Sequence, residues 1–191
     1  MKKTVVIISI VTAFCLIGCY HGDKEDGANE ITAYQQELQE SGWTFEQPED
    51  DDMPEKYGIT PVRGILDNYF DIELGEGYDM AVKIVDMESG DVVRYVFVRE
   101  GTTATITEIP AGKYYLKLAY GHGWMVYHEG DVLIGKFTDD IAYEKSDEIF
   151  DFGAKNSIDA VSYSLKINVR HDSRYENFAT SEITEEDFFN D

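Results

Sequence analysis

The clearest pattern in the chain is a two-residue alternation near its C-terminal end. Val161, Tyr163, Leu165, Ile167 and Val169 fall on one side of an extended segment; Ser162, Ser164, Lys166, Asn168 and Arg170 fall on the other. Successive strand side chains point to opposite faces, so this segment predicts a strand with one face on a core and one in water. Lys113–Tyr120 repeats the pattern, with Tyr114, Leu116, Leu118 and Tyr120 opposed to Lys113, Tyr115 and Lys117. Met80, Val82 and Ile84 also alternate, Glu88-Ser89-Gly90-Asp91 is a turn cluster, and Val92–Val98 resumes the strand texture, so these runs predict a hairpin. Thr102–Ile109 is a further run rich in β-branched residues. Ile109-Pro110-Ala111-Gly112 reads as a tight turn in which Gly112 takes the unusual backbone angle. Trp124–Tyr127 and Val132–Phe137 predict two short strands around Glu129-Gly130-Asp131. About seven or eight short strands, with turns roughly every 8–12 residues, predict an all-β single β-sandwich over residues 61–172. No internal repeat is visible.

The flanks read differently. Residues 19–60 form an acidic stalk, with a short helix in which Asn29 is the cap, Ile31, Tyr34 and Leu38 share a face, and Gly42 is the stop. Trp43 and Phe45 are placed to dock that helix onto the domain. Glu49-Asp50-Asp51-Asp52, between Pro48 and Pro54, breaks regular structure. Residues 173–191 are an acidic tail, with one helical turn's worth of sequence and Phe188 and Phe189 available to pack.

The N-terminus carries Lys2-Lys3 and then an apolar run from Val5 to Ile17. That run is well short of the roughly 20 residues needed to cross a bilayer. Basic start and short apolar core are the anatomy of an export signal over residues 1–18. Leu16-Ile17-Gly18-Cys19 resembles the bacterial lipobox. The resemblance implies cleavage before Cys19 and acylation of its thiol, so the expected prosthetic group is covalent lipid and nothing else. Cys15 leaves with the leader, and the chain has 2 cysteines, so no thiol remains for a disulfide or a nucleophile. Lys24-Glu25-Asp26 resembles the Lys-plus-acid signal that sends lipoproteins to the cell surface in one large Gram-negative group. The expected location is the outer membrane, held by the lipid anchor, with the periplasmic or surface face left open.

Charge narrows the partners. The net charge is −22, and losing the two positive charges of Lys2 and Lys3 makes it −24. Such a surface repels phosphate backbones, which argues against nucleic acid.

The sequence Thr105-Ile106-Thr107-Glu108-Ile109-Pro110-Ala111-Gly112-Lys113-Tyr114-Tyr115-Leu116-Lys117 resembles the hairpin of prealbumin-like (transthyretin-like) modules, among them carboxypeptidase regulatory-like and collagen-adhesin B-type domains. Ala81-Val82-Lys83-Ile84 and Gly90-Asp91-Val92-Val93 are similar to that family's first strands. The likeness spans roughly residues 62–120, and the stretch through Trp124 and Phe150-Asp151-Phe152 departs from the shorter family pattern. Its implication is a spacer, adhesion or partner-binding module. The matching motif is structural, so no site residue follows from it.

Few residues suggest chemistry. The histidines are His21, His122, His128 and His171. His122 and His128 are the one close pair, and zinc needs three or four protein ligands, so no metal site is expected. Asp67, Asp71 and Glu73, or Asp139 and Asp140, are loop acids of the kind calcium uses, but their spacing fits no EF-hand. Calcium stays open as a partner. No Gly-x-Ser-x-Gly elbow or phosphate-cradling glycine loop is present, and no catalytic residue is assigned. Tyr120-Gly121-His122-Gly123-Trp124 is a glycine-flanked aromatic loop at a strand end. Loops on a rigid sandwich are common binding places, which makes His122, Trp124 and Tyr127 the candidate partner-binding residues; the alternative for Trp124 is a plug in the core. The expectation is a non-catalytic binding or scaffolding module. A structural part of an envelope or secretion machine, and a glycan hydrolase using paired carboxylates, are the alternatives.

Overall fold

The computed structural model describes residues 31–48, 53, 55–156, 158–169, 175–176 and 179–190. Cys19, His21, Lys24-Glu25-Asp26, Glu49-Asp50-Asp51-Asp52 and His171 lie outside the described residues.

Helix α1 (Ala33–Glu40) leads into β1 (Thr44–Phe45), a single 3-10 turn at Glu55–Tyr57, and then β2 (Tyr69–Leu74), β3 (Asp79–Asp86), β4 (Val92–Val98), β5 (Thr103–Thr107) and β6 (Lys113–His122). There follow β7 (Met125–Glu129), β8 (Val132–Lys136), β9 (Asp139–Ser146), β10 (Phe150–Asp151), β11 (Tyr163–Asn168), β12 (Tyr175–Glu176), β13 (Thr180–Glu182) and α2 (Glu185–Phe189). The fold is an all-β sandwich, with more strands than the alternation alone predicts because several are two or three residues long.

Among the described residues the strands form three sheets. The central one runs β13-β9-β6-β3-β4, with β10 pairing the start of β6. A second runs β12-β11-β2-β5, and its β11–β2 pair is parallel, Leu165 standing against Ile72. The main core fills the space between them. Phe70 and Ile72 of β2, Met80, Val82 and Ile84 of β3, Leu116 and Leu118 of β6 and Ile167 of β11 are fully buried there. Tyr114 and Leu116 face the opposite sheet, as the alternation requires.

The one wet face that the alternation over 113–120 predicts is not found, because the central sheet is covered on both sides. The third sheet, β1-β7-β8, together with the 3-10 turn and α2, covers the other side. A second apolar cluster forms there, around Ala81, Tyr95, Phe97, Ala119, Trp124, Phe137 and Phe188. β4 is therefore buried along nearly its whole length, as its almost unbroken apolar sequence allows.

Local signals explain the flanks. Thr32, not Asn29, caps α1: the Gln35 amide donates to Thr32 Oγ1 at 3.2 Å and the Thr32 amide donates to Gln35 Oε1 at 2.9 Å, a reciprocal capping box. Gln35 Nε2 then donates to Thr138 Oγ1 at 2.9 Å, which fixes the helix to the domain. Within the region expected as a tail, β13 pairs with β9 and Phe188 is buried. The 109–112 turn departs from expectation in detail. Gly112 has no positive φ; Glu108 does, at 56°. Gly112 instead leaves room for Tyr114, whose Oη would lie 2.9 Å from an added Cβ.

Several phenols are held protonated. Burial pushes Tyr114 up to about 12, with the Asp86 charge adding to the rise. Tyr78 is raised to about 12 because its hydroxyl donates to Asp140 at 2.5 Å. Burial also raises Tyr57 and Tyr143. A phenol raised on folding contributes stability that is complete below the unfolded value of about 10 and is lost as pH climbs through the folded value. Phenolate absorbance should therefore show a late class of tyrosines, ionising near pH 12 as the protein unfolds. One transition near pH 10 in the folded protein would contradict this.

Candidate functional site: an aromatic surface on the third sheet

β7 and β8 form a hairpin whose register sets Tyr127 opposite Ile134 and Val126 opposite Gly135. Alternation then sends Val126 and Gly135 inward, and Tyr127 and Ile134 outward.

The inner side is closed by Trp124. It is 2 % exposed and packs edge-on against Phe97 and Phe137, at ring-centroid distances of 5.2 and 4.8 Å. A Cβ at Gly135 would stand 2.3 Å from Trp124 Cζ2, so the glycine is required by the indole itself. Trp124 is thus placed in the second core and not on a surface.

The outer side is aromatic. Tyr127 is 36 % exposed and its ring lies 5.7 Å from that of Trp43. Lys136 Nζ sits 5.0 Å from the Trp43 centroid and 5.4 Å from the Tyr34 centroid, and donates to Tyr34 Oη at 2.7 Å. Each cation–π contact at such a site is worth about 0.5–1 kcal/mol, enough to fix ring orientation. Tyr34, Phe45, Val132 and Ile134 are exposed nearby on α1, β1 and β8. Neighbouring exposed apolar side chains of this kind mark interaction surfaces on soluble domains.

His122 is elsewhere. It ends β6 and stacks on Tyr78, with ring centroids 4.8 Å apart. His128 lies on β7 with its Nε2 3.7 Å from a carboxylate oxygen of Glu46. The two histidines have separate neighbours. Of the three residues picked from the sequence, only Tyr127 joins the aromatic surface.

The acids expected in calcium-type loops lie mostly on strands, Asp71 and Glu73 in β2 and Asp139 and Asp140 in β9, and several already have other partners. Asp71 accepts from Thr105 Oγ1 at 2.7 Å, Glu73 pairs with Lys166, and Asp140 accepts from Tyr78. Among the described residues, no three His, Cys, Asp or Glu side chains come together as metal ligands. Nor is any described helix long and apolar enough to cross a membrane.

No family model, curated protein or solved structure matches this chain. The functional reading therefore stands on its own residues. Tyr34 and Lys136 had no distinguishing signal in the sequence, because α1 and β8 are brought together only by the fold.

Proposed function

We propose that the protein is a lipid-anchored envelope lipoprotein whose prealbumin-like sandwich serves as a non-catalytic binding module. The observation that carries the binding role is the exposed aromatic surface built on Tyr127, Trp43 and Tyr34. Tyrosine and tryptophan supply large contact area with few rotatable bonds, and here packing and the Lys136 ammonium already restrict them. Leu16-Ile17-Gly18-Cys19 supports the anchor and the envelope location. The Ile-Pro-x-Gly-x-Tyr-x-Leu turn supports the prealbumin-like reading.

Two measurements separate the parts of this reading. Cys19→Ala should move the protein from the membrane fraction to the soluble fraction; unchanged fractionation rejects the anchor. Binding of the purified protein to whole cells should be saturable, and Tyr127→Ala should weaken it by about tenfold, a loss of roughly 1.4 kcal/mol. Tyr127 is partly exposed at a strand surface, so the variant should keep its circular dichroism and melting point. Equal binding by Tyr127→Ala would remove the surface from the mechanism.

A further inference from the structure

Three lysines stand side by side on the face of the central sheet that α2 and the second core partly cover; Lys83 and Lys117 are buried and Lys145 is exposed. The register sets Lys83 opposite Lys117 and Lys117 opposite Lys145, with Tyr95 and Ser181 at the ends of the row. Residues directly opposed across a sheet have Cβ atoms about 4.5–5.5 Å apart, and like charges there are destabilising. Scarcity of acids does not explain the row, since the chain has 38 Asp and Glu against 16 Lys and Arg.

Most described cations do find a carboxylate. Lys113, on the same strand as Lys117, pairs with Asp151. Lys56, Arg63, Lys136, Lys155 and Lys166 pair likewise. Lys117 and Lys145 form no ion pair among the described residues. Lys117 is 9 % exposed and donates to the Asn190 carbonyl at 2.6 Å. Lys145 is exposed, with its Nζ 4.3 Å from the Tyr115 centroid.

Lys145 and Tyr115 divide two adjoining depressions. One, of about 380 Å³, lies between the lysine pair and the α2 segment and includes Asp187. The other, of about 390 Å³, is walled by Met87 and Ile149 and includes Asp147. Each is within the size range of small-ligand sites, which starts near 300 Å³. Lys145 borders both.

We propose that this cleft binds an acidic sugar: a hydroxylated ring carrying one carboxylate or sulfate. The anionic group would lie between Lys117 and Lys145 and screen their mutual repulsion, adding to the charge that Asp187 already sets near Lys117. Ring hydroxyls would donate to Asp147 and Asp187, and an apolar ring face would rest on Met87 and Ile149. Asp187 accepts from the Thr184 hydroxyl at 2.7 Å and the Thr184 amide at 3.1 Å, and these bonds, with the Lys117 charge, lower its pKa further from neutrality. The two acids also limit the ligand's charge, which disfavours polyanions. This site lies on β6 and β9 and depends on neither the aromatic surface nor the anchor.

The test uses the purified protein with glucuronate and N-acetylneuraminate, with glucose as the neutral control and inorganic sulfate as the bare anion. An acidic sugar should raise the melting temperature and bind measurably, whereas glucose should do neither. A uronate oligomer binding more tightly than the free acid would point to a polymer as the natural source. Equal binding would point to the free acid, and either supports the site. Lys145→Gln should weaken acidic-sugar binding by about tenfold and leave the ligand-free melting temperature unchanged or higher. Lys113→Gln should leave binding as it is. Equal binding by Lys145→Gln and the wild type, or equal binding of glucose and glucuronate, overturns the proposal. Sulfate binding as tightly as the sugars overturns the sugar assignment.

Discussion

Arg94→Ala should cost the domain about 3–5 kcal/mol, the range for truncating a large, fully buried side chain. Arg94 is fully buried on β4. Its guanidinium donates to the carbonyls of Val62, Val93, Thr107 and Glu108, the last three at 2.9, 3.4 and 3.2 Å. Those carbonyls come from the approach to β2, from β4 itself and from the end of β5, so one side chain ties three segments. Removing it leaves buried acceptors without their donor as well as a cavity. Glu108 adds to the argument. Its φ of 56° is a strained position for a non-glycine residue, and its carbonyl is held by both Arg94 and the Gly64 amide, the latter at 2.6 Å. Arg94→Lys should recover little, because one ammonium cannot reproduce the planar fork that serves several acceptors. Denaturant unfolding of both variants gives the answer. A loss below about 1 kcal/mol for Arg94→Ala would mean that water replaces the guanidinium.

The strands were legible where packing leaves one face wet. β11 alternates because only one side meets a core, and a period of two is visible without knowing the partner. β6 shows the same period because the main core takes Tyr114, Leu116, Leu118 and Tyr120, although Lys117 and Ala119 on its other side are covered as well. The parallel β11–β2 pair was not legible: it joins residues about ninety positions apart, and alternation carries no information about the neighbour. The second buried face was half visible. Val92–Val98 is nearly continuous in apolar residues, which signals burial on both sides, but Lys83 and Lys117 interrupt the companion strands and suggest water instead. Thr32 and Gln35 form a Thr-x-x-Gln capping box that was readable in principle, three residues after the Asn29 favoured by composition alone.

The site residues divide by a similar logic. A glycine-flanked aromatic loop does not reveal which ring turns inward. The deciding signal was Gly135, a glycine in the middle of a strand, whose missing side chain makes room for Trp124. The lysine row had no signal at all. Positions 83, 117 and 145 share no spacing in the chain and become neighbours only through the registers of β3, β6 and β9.

Phe188→Ala should also cost about 3–5 kcal/mol, and it tests whether the last residues belong to the domain. Phe188 is 1 % exposed, and its ring lies 5.5 Å from Tyr143, 6.3 Å from Tyr95 and 5.2 Å from Phe189. α2 has five residues, far too few to be stable alone even with the Thr184–Asp187 capping box. Its order must come from packing, and Phe188 supplies the buried contact. Lys83 sets the size of the effect. It is 3 % exposed, with Nζ 5.4 Å from the Phe188 centroid. Loosening α2 would hydrate that ammonium, which offsets part of the lost apolar burial and favours the lower end of the range. Thr184→Ala, which removes only the cap, should cost about 1 kcal/mol. Native-state hydrogen exchange should show the Phe188 amide, bonded to the Thr184 carbonyl at 3.1 Å, losing protection in both variants. A Phe188→Ala protein as stable as the wild type would make α2 a passive appendage, and the central sheet would then need another cover for Tyr95 and Lys83.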